Sequence, residues 1–507
     1  MKPKLIKYRE FHPLTVFKHA FFRASAGSKL KSKIFRKNPL KLNMKANSIL
    51  AIALVLVMLV SVFAWLSAGT GTPDPNIVDP VVDPTATASP TSQQTAHPTQ
   101  KPAAPQQKPD WNPIHIINPI EPTRPPGIIE ANPNADSTMW KLVANYAWKY
   151  FQQGNGVDAN TGLPKASLGF PYFTDWDLGV YIQAVIDANK TGLIGYEGDW
   201  GSSARIEKVL TFLETRQLNN YSYPFWFYQA SDGKNYRAAS DQATTIVDGV
   251  DTGRLFVALN NLKSFNGNLS TRVDNFVYNR FSNRSDYSVL VPGVKDESAT
   301  AVSIYSYYVA SGFASFWPNE LAGATNKIIN NILTANYTTN GLYGVSLPKA
   351  TISSEPLLSA VFDLNNNAQL MNLTKQVYSA HEARYNATGE YVAFSEGNTR
   401  TGFIYEWVIL PSGDTWKIMN AGESTYASLT PIIYTKVALG FFAIYNTTFA
   451  RNMNIFLEKA FQDSSNGYYA GAEYNADYNA ASLVTSIDSN TNGMILGAAR
   501  YAMQKNP

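Results

Sequence analysis

Three groups of carboxylates have the residue types and spacing for acid–base chemistry. Asp175 and Asp177 precede one predicted helix, Asp251 precedes another, and Glu396 follows a strand-like run. Two carboxyl groups that face each other across a cleft can act as general acid and general base on a glycosidic bond. Taken singly, each of these side chains is explained more simply as a helix cap or an ion-pair partner. The hypothesis therefore depends on the fold bringing them together.

Other catalytic groups are scarce. The 507 residues contain no cysteine, which excludes disulfides, thiolate metal sites and thiol nucleophiles. Of the five histidines only His381 lies beyond residue 135, which is too few for a histidine-rich zinc site. The segment Asp488–Gly493 resembles the start of a calcium loop, but Ala499 stands where that loop needs Glu, so we interpret it as the cap of the last helix. We predict no metal and no other cofactor.

Aromatic and basic residues near the carboxylates are candidates for binding a sugar. Trp140 and Trp148 lie on one face of a predicted helix and are assigned to the core, whereas two other tryptophans lie beside polar loops. The substrate-binding residues that we predict are Asp175, Trp176, Trp226, Arg254, Arg400 and Tyr405.

Helical periodicity dominates residues 136–507. Helices are predicted at 139–151, 178–189, 205–217, 253–262, 300–313, 326–336, 368–384, 431–445, 449–461 and 491–504. Strand-like runs at 223–229, 390–396 and 402–410 adjoin turn signals at 232–233 and 411–414. Helices of this length with short connections predict an all-α fold of helical hairpins with short β-hairpin additions. We expect a closed (α/α)6 toroid; an open solenoid is the alternative, although no fixed repeat period supports it.

The formal charge of +4 conceals a strongly basic N-terminal arm. Residues 1–47 contain thirteen Lys and Arg against one acid, and the rest of the chain is acidic, so we predict no nucleic-acid binding. An uncharged apolar run of eighteen residues, 49–66, is long enough to cross a bilayer and predicts a transmembrane helix at 48–68. The positive-inside rule places the arm in the cytoplasm and the C-terminal domain outside. A cleaved signal peptide is the alternative, but the apolar run is longer than a usual signal core.

Residues 69–135 have the composition of a disordered stalk. They hold fifteen of the 28 prolines, among Thr, Ser, Gln and Asp. Such a segment buries too little apolar surface to offset its chain entropy and favours extended, partly polyproline-II conformations. We interpret it as a spacer between the membrane and a folded domain at 136–507.

Several segments of this domain, in order, resemble a known family. They are GNGVDANTGLPKAS, FTDWDLGVYIQAVIDANKTGLI, VDTGRLFVALNNL, KDESATAVSIYSYYVASGF, VAFSEGNTRTGFIYEWV, YTKVALGFFAIY and SIDSNTNGMILGAARYAM. The sequence is similar to the domain of unknown function 3131 family, a glucoamylase-like family, over roughly residues 140–505. The resemblance implies a six-hairpin glycosidase fold and a polysaccharide substrate.

The resemblance also points to site residues. Asp177, Glu396 and Asp251 match the acidic positions of the family's motifs. Where the family's Tyr-Glu-Glu-Tyr segment leads one to expect acids, this chain has Tyr305–Tyr308, reading Tyr-Ser-Tyr-Tyr, so Glu297 is the substitute that we consider. The predicted catalytic residues are therefore Asp177 and Glu396 as the acid–base pair, supported by Asp251 and Glu297.

Three hypotheses follow for the exterior domain. The first is a membrane-anchored glycoside hydrolase acting on an envelope polysaccharide or exopolysaccharide, with an inverting mechanism favoured by analogy with helical-toroid glucoamylases. The second is a non-catalytic glycan-binding or cell-surface protein on the same fold, which the departure at Ser306 and Tyr307 supports. The third is a structural partner in envelope assembly. Carboxylates fixed as caps or in ion pairs favour a binding protein over an enzyme.

Overall fold

The first described helix follows the proline-rich segment directly. The computed structural model describes residues 137–236, 248–280, 286–364, 367–457, 461, 465–474 and 482–505. The predicted arm, membrane span and stalk, at 1–47, 48–68 and 69–135, lie outside these residues. Within the described ranges, no helix is both long and apolar enough to cross a membrane.

Helices make up about half of the described residues, which confirms the helix-rich prediction. They are α1 (Ser137–Trp148), α2 (Asp175–Lys190), α3 (Ser202–Thr215), α4 (Gly249–Phe265), α5 (Ser270–Val277), α6 (Val291–Ser298), α7 (Ile304–Ala314), α8 (Ala324–Thr334), α9 (Ser354–Asp363), α10 (Ala368–Thr388), α11 (Thr435–Ile444), α12 (Thr448–Phe456) and α13 (Ser489–Lys505). Two 3-10 turns, Gly267–Leu269 and Tyr287–Leu290, precede α5 and α6.

The strands are short and lie between helices. They are β1 (Tyr172–Phe173), β2 (Tyr228–Gln229), β3 (Tyr337–Thr338), β4 (Leu347–Pro348), β5 (Glu396–Asn398), β6 (Phe403–Ile409), β7 (Thr415–Asn420), β8 (Ile432–Tyr434), β9 (Gly471–Glu473) and β10 (Leu483–Val484). They form two antiparallel pairs, β1–β2 and β3–β4, and two three-stranded sheets in the orders β5–β6–β7 and β10–β9–β8.

Six helices pack in a closed circuit. Helix α2 packs on α4, α4 on α7, α7 on α9, α9 on α11 and α11 on α13, and α13 packs back on α2. The outer helices α3, α8, α10 and α12 each contact an inner helix next to them in the chain, whereas α1 packs on α13. A helix buried on every face belongs inside such a ring, and all ten residues of α11 are buried. Outer α8 buries one stripe only: Ala324, Ile328, Ile329 and Ile332.

Glycines allow the inner helices to approach closely. A Cβ atom on Gly312 of α7 would lie 2.2 Å from the Gly253 carbonyl oxygen of α4, and a Cβ on Gly253 would lie 2.9 Å from the Val309 Cα atom. A Cβ on Gly493 of α13 would lie 2.4 Å from a Val180 methyl group of α2. Side chains larger than hydrogen would therefore push these helices apart.

Buried ion pairs link the inner helices to one another. Arg500 of α13 pairs with Asp187 of α2 through Nε and Oδ1, 2.5 Å apart, and Arg254 of α4 pairs with Asp363 of α9 at 2.5 Å. The Arg500 guanidinium also donates to the Phe362 carbonyl oxygen. Because each charge has an opposite partner, burial does not leave it uncompensated.

Several predicted element boundaries differ from the structure. The predicted helix at 431–445 begins as strand β8 and becomes helical only at Thr435. The run 390–396 was predicted as a strand, but strand β5 starts only at its last residue, Glu396, and before that Ala393 forms a single bridge to Ile433. The turns predicted at 232–233 and 411–414 are confirmed, since Gly233 donates to Gln229 and Gly413 to Leu410.

Candidate functional site

The polar candidates gather at the first turns of the inner helices. Asp177 lies in the first turn of α2, Asp251 in that of α4 and Tyr305 in that of α7, whereas Glu355 and Lys436 begin α9 and α11. Side-chain hydrogen bonds and an ion pair join these turns to one another and to the first turn of α13. Helix N-termini carry partial positive charge, which favours carboxylates at this rim of the ring.

The segment Thr174–Asp177 fixes one wall of the site. Thr174 is the N-cap of α2: its hydroxyl accepts from the Trp176 amide at 3.1 Å, and its own amide donates to Asp177 Oδ2 at 3.0 Å. The hydroxyl of Ser489 donates to Asp177 Oδ1 at 2.7 Å. Burial raises the pKa of Asp177 to about 6, although both hydrogen bonds oppose the increase. Asp177 therefore combines a capping-box role with a place in the site.

Asp175, in the same segment, is held in an ion pair. Its carboxylate binds the guanidinium of Arg216 by two hydrogen bonds, one of them between Oδ2 and Nη2 at 3.2 Å. The same guanidinium donates to the Tyr287 hydroxyl at 2.7 Å. These contacts tie α2 to the segments that follow α3 and precede α6, which explains Asp175 without a ligand.

Asp248 and Asp251 extend the acidic wall at the start of α4. Asp248 is the N-cap and accepts from the amides of Val250 at 2.9 Å and Asp251 at 3.2 Å. The side chain of Asp251 is not the N-cap of this helix. Burial, followed by the charge of Asp248, holds the pKa of Asp251 well above its usual range, while the Thr174 side chain opposes the shift. Both aspartates are partly exposed.

The segment Ser395–Asn398 forms the opposite wall, and each residue in it has a separate contact. Glu396 accepts from the Tyr305 hydroxyl at 2.7 Å and retains 9% of its exposed surface. A Cβ on Gly397 would lie 2.6 Å from the Tyr434 ring, so only glycine fits there. Asn398 donates to Asp488 Oδ2 at 3.4 Å. The Ser-Glu-Gly-Asn motif thus places one carboxyl group that is neither a cap nor half of an ion pair.

Glu396 is held largely protonated at neutral pH. Burial, and then the negative charge of Glu355, raise the pKa of Glu396 to about 8, against the opposing effects of Lys436 and Tyr305. A carboxylic acid with a pKa in this range can donate a proton at pH 7.

An ion pair lies directly behind Glu396. Lys436 Nζ binds Glu355 Oε2, and the exposed fractions of these residues are 1% and 0%. The Ser395 hydroxyl donates to the same Glu355 oxygen at 3.2 Å. The side-chain amide of Asn490 donates to Glu355 Oε1. Every oxygen of Glu355 is therefore engaged within the protein.

The first turn of α13 joins the two walls. Asp488 caps this helix by accepting from the Thr491 amide at 2.6 Å, which confirms the interpretation of this segment as a cap. Ser489 contacts Asp177, whereas Asn490 contacts Glu355 and accepts from the Trp176 indole at 3.4 Å. A short run of polar residues therefore sets the distance between the acidic walls.

Glu297 lies at the end of α6 and contacts α7. The Ser306 hydroxyl donates to its Oε1 atom, one position after Tyr305, which holds Glu396. Burial raises the pKa of Glu297 to about 8 despite this hydrogen bond. Ser306, one of the positions where this chain departs from the family motif, is thus the partner of Glu297.

The predicted substrate-binding residues lie in different places. Trp176 and Tyr405 are half-buried at the site, and Tyr405 pairs across the sheet with Glu396. The pKa of Tyr405 is raised by burial and then by Glu396, Asp251 and Asp248, so this phenol is near carboxyl groups of both walls.

The two basic candidates, Arg254 and Arg400, and the candidate Trp226 each have different surroundings. Arg254 is buried against Asp363 and Tyr308 inside the ring. Arg400 is paired with Glu473 at the surface, where Nε and Oε1 lie 3.3 Å apart. Trp226 is 49% exposed and packs beside Phe227. Trp140 and Trp148 are buried, as predicted for the core.

Sequence reasoning missed four residues of the site: Tyr305, Glu355, Lys436 and Asn490. A signal existed for Lys436, because a single charge inside the apolar run YTKVALGFFAIY has to find a buried partner. Glu355 lies in the sequence SSEP. There, an acid at the start of a helix is explained by its favourable interaction with the helix dipole. Neither pattern reveals which partner the other takes.

His381 and Glu406 are buried and structural. His381 donates from Nδ1 to the Val377 carbonyl at 2.8 Å and accepts the Phe394 amide on Nε2 at 3.2 Å. Burial lowers the pKa of His381 to about 4, so it is neutral at pH 7. Glu406 accepts from the Ile432 amide at 2.8 Å, and burial raises the pKa of Glu406 to about 8.

Solved structures resemble this fold at low sequence identity. A candidate glucoamylase from Bacteroides caccae is 14% identical, with a TM-score of 0.50, over 73% of this chain and 94% of that one. A candidate glucoamylase from Bacteroides uniformis is 12% identical, with a TM-score of 0.49, over 73% and 93%. An endo-β-1,2-glucanase from Chitinophaga pinensis is 13% identical, with a TM-score of 0.48, over 73% and 93%. At such identity the first likeness supports a glucoamylase-like fold alone.

Among curated proteins, no sequence matches this chain. The family model described as protein of unknown function DUF3131 matches residues 142–505, which include both walls of the site and the whole inner ring. The resemblance seen in the ordered motifs is therefore confirmed, and the chain belongs to the DUF3131 family.

Proposed function

We propose that this protein is a glycoside hydrolase on an (α/α)6 toroid. The observation that carries the proposal is the contrast between Glu396, whose pKa is about 8, and Asp177, whose pKa is about 6. Near pH 7 the first is mainly a neutral acid and the second mainly a carboxylate. Titratable groups with pKa values driven apart in this way suit the roles of general acid and general base.

Each step of the proposed hydrolysis has a residue. Glu396 donates its proton to the glycosidic oxygen as the bond to the anomeric carbon breaks. Asp177 accepts a proton from a water molecule that attacks the anomeric carbon from the other side of the ring, which is the inverting course. We propose that Asp251 and Tyr405 line the space between these two carboxyl groups; Glu297 of α6 accepts from Ser306, the residue after Tyr305.

The charges favour an uncharged glycan as substrate. In the described part of the site, Arg216, Arg254 and Lys436 are each neutralised by a carboxylate partner. The acidic residues of the two walls would repel sugar carboxylates, so we propose a neutral polysaccharide, such as an envelope glycan or exopolysaccharide.

The direct test is release of reducing ends from neutral polysaccharides by the full-length protein. We expect Glu396→Gln to lose about 100-fold or more of kcat, since general acid catalysis contributes 10²–10⁴-fold. Asp177→Asn is expected to lose a similar factor. The exposed Glu390→Gln provides a matched control that removes a carboxylate elsewhere.

Unchanged rates would contradict the acid–base roles of Glu396 and Asp177. If Glu396→Gln and Asp177→Asn cleave as fast as the wild type, these residues are not the acid–base pair. The melting temperature of each variant must be measured alongside, because Asp177 also caps α2 and its loss could act through stability.

A non-catalytic glycan-binding protein on the same fold is the second proposal. It is favoured by the structural roles of three carboxylates: the ion pair of Asp175, the capping box of Asp177 and the cap formed by Asp248. This proposal expects saturable glycan binding without product release, and Trp176→Ala to weaken that binding.

We propose further that the protein is anchored by residues 48–68, with the C-terminal domain outside the cytoplasm. The support is the apolar run behind thirteen basic residues. Protease added to intact cells should degrade the domain and spare the N-terminal arm. Protection of the whole chain until the cells are lysed would contradict this topology.

A further inference from the structure

Glu355 and Lys436 are a buried ion pair for which the proposed hydrolysis has no direct use. With exposed fractions of 0% and 1%, neither residue can touch a bound sugar. A buried ion pair is often no more stabilising than well-packed apolar side chains, so its presence calls for another explanation. Its location, immediately behind Glu396, suggests one.

We propose that Glu355 and Lys436 are positioning residues that fix the orientation and the protonation state of the Glu396 carboxyl group. The inference rests on the proposed role of Glu396 as the general acid. It concerns residues that act through Glu396, and neither of them contacts substrate.

Ser395 links the ion pair to the backbone next to Glu396. Its hydroxyl donates to Glu355 Oε2 at 3.2 Å, and its amide donates to Glu406 Oε2 at 3.2 Å. Both bonds hold Ser395, the residue immediately before Glu396, so the direction of the Glu396 side chain depends on two buried carboxylates. Asn490 binds the other oxygen of Glu355, which prevents that carboxylate from rotating.

Titratable groups from several elements interact electrostatically with Glu396. These groups come from five elements: Tyr305 of α7, Glu355 of α9, Tyr405 of β6, Tyr434 of β8 and Lys436 of α11. Tyr305 and Tyr434 are buried and Tyr405 is half-buried; burial raises the pKa of each phenol, so all three are neutral at pH 7. The charges near Glu396 are therefore those of the ion pair. Glu355 favours the protonated form of Glu396, and Lys436 favours the ionised form.

Because Glu355 and Lys436 have opposite effects on Glu396, substituting one or the other should shift the titration midpoint of Glu396 in opposite directions. Glu355→Gln leaves Lys436 uncompensated, so the titration midpoint of Glu396 should fall by about one pH unit or more. Lys436→Met leaves Glu355 uncompensated, so the midpoint should rise. The midpoint is measured on the full-length protein, labelled with ¹³C-glutamate, from the infrared band of the protonated carboxyl group. The Glu396→Gln variant identifies which band belongs to Glu396.

Two further variants keep the proposal testable if a single substitution unfolds the protein. Glu355→Gln combined with Lys436→Met removes both charges and leaves no unpaired buried ion; the midpoint should fall, but less than in Glu355→Gln. The matched control removes a different buried pair, with Asp187→Asn and Arg500→Met, and should leave the Glu396 midpoint unchanged while altering stability.

The infrared measurement does not depend on enzymatic activity, so the two proposals can fail separately. A Glu396 midpoint that stays the same in Glu355→Gln, Lys436→Met and the double variant would overturn the positioning role. Midpoints that move as expected in a protein that cleaves no glycan would uphold the ion pair's effect and reject the proposed hydrolysis.

Discussion

Glu396 and Asp177 are both buried carboxyl groups, but their partners differ in kind. Asp177 accepts from a backbone amide and the Ser489 hydroxyl, and these bonds stabilise its ionised form. Glu396 accepts from one phenol and stands near another carboxylate. The difference in pKa therefore follows from hydrogen-bond donors on one wall and negative charge behind the other.

The rate of the proposed reaction should depend on pH as a bell-shaped curve. Activity should rise as Asp177 loses its proton near pH 6 and fall as Glu396 loses its proton near pH 8. The measurement is kcat/KM from pH 4 to 10, in steps of about half a unit. A profile without a basic limb would show that no acid with the properties of Glu396 takes part.

The sequence revealed the acidic residues of the site better than their partners. Asp177, Asp251 and Glu396 were identifiable because motifs surround them. Glu355 and Lys436 were not, because they are 81 residues apart and only the packing of α9 on α11 brings them together. A charge in an apolar run predicts a buried partner but does not identify it.

At the level of elements, the inner helices were easier to detect than to delimit. The apolar stretch predicted at 178–189 is the body of α2, but the helix begins at Asp175, since the Thr174 cap was not recognised. The segment 432–434 was predicted as helix because its residues are apolar, yet it pairs with β9. Such pairing depends on a distant segment and is not visible in local periodicity.

Glycine contacts between inner helices make a specific prediction about stability. Gly312→Ala should destabilise the protein by about 1–3 kcal/mol, because the added methyl group meets the Gly253 carbonyl of α4. This loss should outweigh the gain in helix propensity of about 1 kcal/mol. The free energy of unfolding is measured by urea denaturation.

The control for this prediction is Gly169→Ala. Gly169 has no atoms within 4 Å of an added Cβ, so its substitution should leave the midpoint of unfolding nearly unchanged. Equal effects of the two substitutions would mean that close packing of α4 on α7 does not limit stability.

At the scale of the whole domain, buried acids make stability depend on pH. Glu297, Glu396 and Glu406 each have a pKa of about 8 in the folded state, against an ordinary value of 4.5. Between these values the folded protein binds more protons than the unfolded one. The stability that these groups contribute is complete below about pH 4.5 and is lost as the pH rises through 8.

The melting temperature should therefore fall between pH 6.5 and 8. This window avoids the opposite effect of His381, whose pKa is lowered to about 4 and whose contribution changes below pH 6.5. Calorimetry across the window measures the decrease, and Glu406→Gln should make it smaller because one of the three groups no longer titrates. A melting temperature that increases toward pH 8 would contradict the assignment of these groups as buried acids.

The contact between the first and last inner helices has a consequence for biosynthesis. Ser489 meets Asp177 across 312 residues of chain, and Arg500 meets Asp187 across 313. A polypeptide emerging from the ribosome therefore cannot complete this ring, or join the two walls of the site, until α13 has been synthesised. Until then the apolar faces of α1 and α2 that α13 covers are exposed. Nascent chains that stop before Ser489 should consequently depend on chaperones and be prone to aggregation.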